Sequence, residues 1–296
     1  MVVFYRRSPK MDYMKPGSID EVLDLLADGE TGRYKVYSGG TDVIPRIKKR
    51  ITTPPKILVD LKGINALDYV DYDEREGLRI GALATVRSVA ESSVVKNKFP
   101  ILSQAANSIA SIQVRNRATL AGNLCNAVPS ADSAPALFTL GAELKCRSRK
   151  GDRTIMIDEF FKAPGTTSIE PHELLTEIHI PALIKKTKGT YIKLSPRSRM
   201  DLAVVGVAVL GAVENGLFRD VRIGLGAVAP TPIRALKAEA LLTGSGTDDK
   251  IIDNAAKMAS SESKPIDDHR ASAEYRRMMV EVLVRRGLKN IMNEFS

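Results

Sequence analysis

The chain has 296 residues, 44% hydrophobic and 27% charged, ordinary values for a globular protein of two or more packed units. It carries 44 Lys and Arg against 35 Asp and Glu, a net charge of +9, with 5% aromatics and no Trp. Basicity raises nucleic acid as a partner, although short runs such as Arg46-Ile47-Lys48-Lys49-Arg50 read as solvated faces or loops, or else as sites for an anionic ligand or an acidic partner. However, basic residues dispersed among acids, with so few aromatics, lack the stacking platforms of a nucleic-acid binder, and no apolar run approaches the roughly 20 residues of a membrane span.

The opening Met1-Val2-Val3-Phe4-Tyr5-Arg6-Arg7 places its charges after its apolar residues, which predicts no signal peptide. Ser18-Ile19-Asp20-Glu21 forms a capping box, with Ser18 taking an orphan N–H and Glu21 reaching back to the Ser18 amide. Ile19, Val22, Leu23 and Leu26 then recur at helical spacing, and Gly29 ends the run. Tyr34-Lys35-Val36-Tyr37 reads as a strand leading into Ser38-Gly39-Gly40-Thr41-Asp42, after which Asp42 and Pro45 suit a helix through Val43, Ile44 and Ile47. Ile57–Leu61 is a second buried strand, so the opening residues form a small β-α-β unit.

A strand is predicted over Leu78–Ala82 and a helical stretch over 86–110, divided by Pro100. A second glycine turn, Thr119-Leu120-Ala121-Gly122-Asn123, precedes a helix over 131–140 and strands over 143–148 and 174–180. Pro181 and the basic run Lys185-Lys186-Thr187-Lys188 read as a linker. Beyond it, 190–194, 203–213 and 218–228 predict a three-stranded meander, followed by helices near 233–242, 250–260 and 271–292. Strands then helices, segregated in sequence, indicate an α+β class.

Two cysteines, Cys125 and Cys146, make neither a disulfide framework nor a metal spacing, and a reduced, cytoplasmic setting is expected. His172, His179 and His269 form no metal pair and stand beside no nucleophile, and Cys125 reads as a small buried hydrophobe. Gly224-Leu225-Gly226 resembles the start of a dinucleotide fingerprint, but Pro230 and Pro232 follow where a helix should run, so it reads as a turn at a strand end. No P-loop is present.

The two glycine turns remain the leading signal. Gly admits positive φ and brings main chain against a ligand, and successive amides make an anion-binding concavity suited to a diphosphate. Ser38–Asp42 reads equally as an ordinary strand-to-helix turn. Asp132 offers a carboxylate to polyol hydroxyls, or caps the helix that follows.

Ser38-Gly39-Gly40-Thr41-Asp42, Arg115-Asn116-Arg117-Ala118-Thr119-Leu120-Ala121-Gly122-Asn123-Leu124 and Pro129-Ser130-Ala131-Asp132-Ser133-Ala134-Pro135 together resemble the FAD-binding medium subunit of the molybdenum hydroxylases, a family that includes carbon monoxide dehydrogenase and the flavin domain of xanthine dehydrogenase. The likeness extends through Ile80–Thr85, Tyr191–Ala203 and Gly226–Arg234, in order along nearly the whole chain. Ala121 stands where the family usually has a glycine, and Ser38 where alanine is common. With only two cysteines, the chain lacks the extra iron–sulfur loop of the hydroxybenzoyl-CoA branch.

The resemblance implies a two-subdomain PCMH-type FAD-binding fold (subdomains 1–60 and 61–182) and a C-terminal domain, 183–296, of a three-stranded antiparallel sheet with a helical bundle. It implies FAD cradled at its pyrophosphate by Val36, Tyr37, Ser38, Gly39, Gly40, Thr41, Asp42 and Val43, completed by Thr119, Gly122 and Asn123. Asp132 would bind the ribityl or pyrophosphate region, Ile109, Ala110 and Leu175 would pack at the ring, and Lys193 would stand at its polar edge. No residue of this chain would be catalytic toward the primary substrate. The implied partners are a small 2Fe–2S iron–sulfur subunit and a large molybdenum-cofactor subunit, in a dimer of heterotrimers, with NAD, a quinone, ferredoxin or oxygen as external electron acceptor. A stand-alone flavin-dependent oxidoreductase of the same fold is the alternative. The primary substrate and the oligomeric state of the isolated chain are not written in the sequence.

Overall fold

The computed structural model describes residues 8–183, 187–197 and 200–294; the opening residues and Lys185 and Lys186 of the expected linker lie outside them. The first sheet is parallel, with Ile57–Asp60 in the middle, flanked by Asp12–Met14 and Tyr34–Tyr37. Asp12–Met14 is the strand that pattern misses, because its three residues are exposed and show no alternation. Helix Ile19–Leu26 buries Val22, Leu23 and Leu26. Its capping box is altered: the Ser18 hydroxyl accepts the Glu21 N–H at 3.2 Å, but Glu21 takes the Gly17 N–H at 3.0 Å, not that of Ser18.

The second sheet is antiparallel, in the order Val70–Asp73, Gly77–Gly81, Leu174–Ile180, Glu143–Arg147, Arg153–Met156. The outer strands Val70–Asp73 and Arg153–Met156, both partly exposed, were not foreseen. Against the inner face, where Leu78, Ile80, Leu144 and Ile178 are fully buried, lie short helices. The stretch expected to divide at Pro100 also breaks at Ser92, giving Val86–Glu91, Ser93–Lys98 and Pro100–Ser108 with Pro100 in the first turn.

The third sheet is also antiparallel: Lys188–Leu194, Val205–Glu214, Leu217–Gly226 and Ile233–Arg234. It has four strands rather than three, since Ile233–Arg234, expected to open a helix, pairs with Gly224 and Leu225 instead. Helices Leu236–Leu242, Asp249–Glu262 and Ala273–Asn293 cover its other face. Helix Ser133–Leu140, buried along its whole length, packs on the third sheet and against helix Pro100–Ser108. This explains Gly224-Leu225-Gly226: a Cβ on Gly226 would lie 2.8 Å from Pro135 Cγ, and one on Gly224 would run into the Pro135 carbonyl. Those glycines admit a helix, not a nucleotide.

Within the C-terminal domain the buried Arg276 ties the last helix to the strand ends, donating to the carbonyls of Val204 at 2.7 Å and Ala227 at 3.0 Å and pairing with Asp268. Among the described residues, no helix is long and apolar enough to cross a membrane.

Candidate functional site

In parallel sheets the carboxyl ends of the strands are where ligands collect. Here strand Tyr34–Tyr37 delivers Ser38, Gly39 and Gly40 to that edge, and the second glycine segment meets them there. The second segment is not a free turn. It is the start of helix Leu120–Cys125, capped by Thr119, whose hydroxyl accepts the Gly122 N–H at 3.0 Å. The same hydroxyl lies 2.7 Å from Ser38 Oγ.

Smallness is required at these positions for identifiable reasons. A Cβ on Gly39 would overlap the Arg117 carbonyl oxygen and sit 2.7 Å from Ala118 Cα. Gly40 holds φ at +74°, where an L side chain is strained. A Cβ on Gly122 would approach Ser38 Oγ to 3.1 Å. Ala121, in contrast, lies inside the helix with ordinary negative φ, so its methyl is compatible with the backbone there.

The opposite wall is apolar with one polar corner. Ile109 and Ala110 follow helix Pro100–Ser108, and Ala110 is held at φ 42°, an unusual conformation for a residue with a Cβ. Arg115 Nη1 holds it by donating to the carbonyls of both Ile109 and Ala110 at 2.9 Å. Leu175 comes from the central strand of the second sheet. At the polar corner Lys193 Nζ pairs with Asp132 Oδ2 at 2.7 Å and donates to the Ser108 carbonyl at 3.1 Å. The Tyr191 hydroxyl donates to Asp132 Oδ1 at 2.9 Å. Burial, opposed by Lys193 and Tyr191, holds the Asp132 carboxyl above its ordinary value.

The cleft measures about 800 Å³, within the range of small-molecule sites, and its wall includes all sixteen positions named from the sequence. Several details differ from expectation. Asp132 stands at the N-cap of Ser133–Leu140 but makes no side-chain cap bond; its oxygens bind Tyr191 and Lys193 instead. Asn123 Oδ1 accepts the Ser133 hydroxyl at 2.6 Å. Cys125 is not buried: its side chain is exposed at the cleft wall. His179 has a structural use: its ring bridges Glu143 and the Glu76 carbonyl.

Sequence reasoning missed Arg46, which reaches across the cleft to Asn126 Oδ1 at 3.1 Å, and also Arg115, Met200 and Leu202. An arginine among several and exposed apolar residues in a loop give no spacing signal.

Residues 9–183 match the family described as the FAD binding domain in molybdopterin dehydrogenase, and 190–291 the CO dehydrogenase flavoprotein C-terminal domain. The chain is 32% identical over 283 residues to the glyceraldehyde dehydrogenase medium chain of Sulfolobus acidocaldarius, covering 96% of this chain and 99% of that one. It is 34% identical to the carbon monoxide dehydrogenase medium chain of Afipia carboxidovorans, covering 94% and 95% of the two. Among solved structures, a chain of a Cu,Mo-CO dehydrogenase superposes with a TM-score of 0.91 at 31% identity, covering 96% of this chain and 98% of that chain.

Proposed function

The chain belongs to the FAD-binding medium subunits of the molybdenum hydroxylase family, and on that premise we propose that it is the electron-transferring flavoprotein of a three-subunit dehydrogenase. FAD is its cofactor. The observation that carries the site assignment is the meeting of Ser38 and Thr119, which joins two small-residue segments into one wall of the cleft. That wall, from Val36 to Val43 with Thr119, Gly122 and Asn123, fits the diphosphate: its glycines leave main chain uncovered and its hydroxyls are short.

The apolar wall of Ile109, Ala110 and Leu175 fits a planar ring, and Lys193 fits the ring's polar edge. Asp132 orients Lys193 and retains lone pairs for a ribityl hydroxyl. Bound there, FAD supplies the redox chemistry that connects one-electron with two-electron carriers. This chain's residues fix the ring, shield one face of it with aliphatic side chains, and place a cation where negative charge accumulates.

Electrons would arrive from a small 2Fe–2S subunit, after a large molybdenum subunit has oxidised the substrate, and would leave to an external acceptor. The relatives' designation as medium chains supports such partners, and a cytoplasmic dimer of heterotrimers is the assembly in keeping with them. Affinity purification from the native host through a tag on this chain tests the reading. Iron and molybdenum co-purifying with flavin in fixed proportion are expected. A chain that purifies alone, flavin-loaded, and oxidises an organic donor unaided overturns it in favour of a stand-alone flavin enzyme.

A further inference from the structure

Behind the first glycine turn lies a polar cluster that no sequence motif marks. Asp60 ends the central parallel strand and is only 3% exposed. Its Oδ2 accepts the hydroxyls of Tyr13 and Tyr37, each at 2.8 Å. Its Oδ1 accepts the Lys62 backbone N–H at 2.9 Å and pairs with the Lys62 ammonium at 2.8 Å. One carboxylate thereby ties together all three strands at the edge that bears the cleft.

Lys62 carries the connection onward. Its Nζ lies 4.0 Å from the centroid of the Tyr37 ring and donates to the Ser38 carbonyl oxygen at 3.2 Å. That oxygen belongs to the peptide joining Ser38 to Gly39. In a trans peptide the C=O and N–H point in opposite directions, so holding the oxygen toward Lys62 turns the Gly39 N–H to the other side. Gly39, on one side of this peptide, leaves its φ weakly restrained. Its orientation therefore depends on what grips it from outside. In one orientation the turn presents a donor to an anion; flipped, it presents a carbonyl oxygen that repels one.

We propose that Lys62, anchored by Asp60, is the positioning residue that sets the Ser38–Gly39 peptide for diphosphate binding. The inference rests on the placement of the FAD diphosphate at the glycine turns. It assigns Lys62 no contact with the flavin ring and predicts a defect confined to the phosphate end of the ligand.

The test is titration of the full-length chain, stripped of flavin, with FAD and separately with ADP. Lys62→Met is expected to weaken both by about tenfold, the worth of one charge-assisted hydrogen bond. The thermal midpoint of the stripped chain should fall, because the buried Asp60 loses its cation, but at a temperature where variant and wild type are both folded the visible spectrum of FAD at saturation should stay as in wild type. Asp60→Asn, which keeps the lysine charge but loosens its anchor, should weaken both ligands in the same direction, and Lys62→Arg should recover them. If Lys62→Met does not fold, Lys62→Gln carries the same comparison. Unchanged FAD and ADP affinity in a folded Lys62 variant overturns the inference, as does a loss accompanied by an altered flavin spectrum. Gly40→Val separates the two readings: if it loses ADP while Lys62→Met does not, only the role of Lys62 falls. If wild type fails to bind ADP in competition with FAD, the placement of the diphosphate falls with it.

Discussion

The hydroxyls of Ser38 and Thr119 lie 2.7 Å apart although the residues are 81 positions apart in sequence. Thr119 also caps helix Leu120–Cys125 through the Gly122 N–H, so one oxygen serves both the local helix and the long-range joint. Thr119→Val should therefore cost about 1–2 kcal/mol of stability for the lost cap and weaken FAD binding. Ser38→Ala removes only the joint. In a double-mutant cycle on FAD affinity the two substitutions should be non-additive, because each deletes the same contact. Additive losses would mean that the hydroxyls act separately.

Gly39 and Gly40 are adjacent but should fail differently. A methyl at 39 meets backbone of the Arg117–Ala118 segment, which cannot move without separating the two walls. At 40 the neighbours are the Tyr37 ring and Ile44 side chain at 3.2 Å, and the main obstacle is φ +74°. Gly39→Ala should lower the thermal midpoint and abolish flavin retention together. Gly40→Ala should cost about 1 kcal/mol through the left-handed backbone and keep part of its flavin. Gly40→Val, with β-branching added, should lose flavin entirely, through backbone strain rather than through a side chain set against phosphate. Flavin content per purified chain, read beside thermal unfolding, checks all three.

The sequence revealed most where one residue acts on its neighbours. The strand Tyr34–Tyr37, the helix at Pro100 and the meander after the linker follow from local spacing and punctuation. It revealed less where a residue's purpose lies in a distant partner. Pro230 and Pro232 exclude a nucleotide reading of Gly224 and Gly226, but why glycine is needed there shows only when Pro135 is seen above them. Asp132 reads as a partner for polyol hydroxyls or as a helix cap, and only the fold shows Tyr191 and Lys193 reaching it from another sheet. Arg115 and Lys62 bond to main-chain oxygens, a use for which no residue pattern exists. The edge strands escaped because exposed strands need no alternation.

Asp60 gives the acid limb of the stability profile. Burial acts to raise its carboxyl, but the Lys62 ammonium and amide and the two tyrosine hydroxyls outweigh it and hold the group at about 2. A carboxylate depressed in the folded state stabilises the fold fully above its unfolded value near 4 and loses that contribution as pH falls toward 2. The shift corresponds to about 2 kcal/mol at neutral pH. Asp60→Asn should therefore unfold at lower denaturant concentration than wild type at pH 7, with the gap narrowing between about pH 4 and 2. Denaturant midpoints across that range check the sign; a gap that widens on acidification contradicts it.

The Asp132–Lys193 pair makes the opposite pH prediction when one partner is removed. Both side chains are under 10% exposed, so each charge is tolerated because the other is present. Lys193→Met strands a buried carboxylate, a loss of about 3–5 kcal/mol for such pairs. The group escapes by taking up a proton, which raises its folded value further. The variant should thus be least stable at alkaline pH and recover as pH falls toward the unfolded carboxylate value near 4, the reverse of the Asp60 case. The double variant Asp132→Asn with Lys193→Met buries no charge, and its amide oxygen still accepts the Tyr191 hydroxyl, so it should be more stable than Lys193→Met alone at pH 8. Urea unfolding at pH 5 and pH 8 decides the matter: equal destabilisation at both pH values would mean that Asp132 never bears the stranded charge.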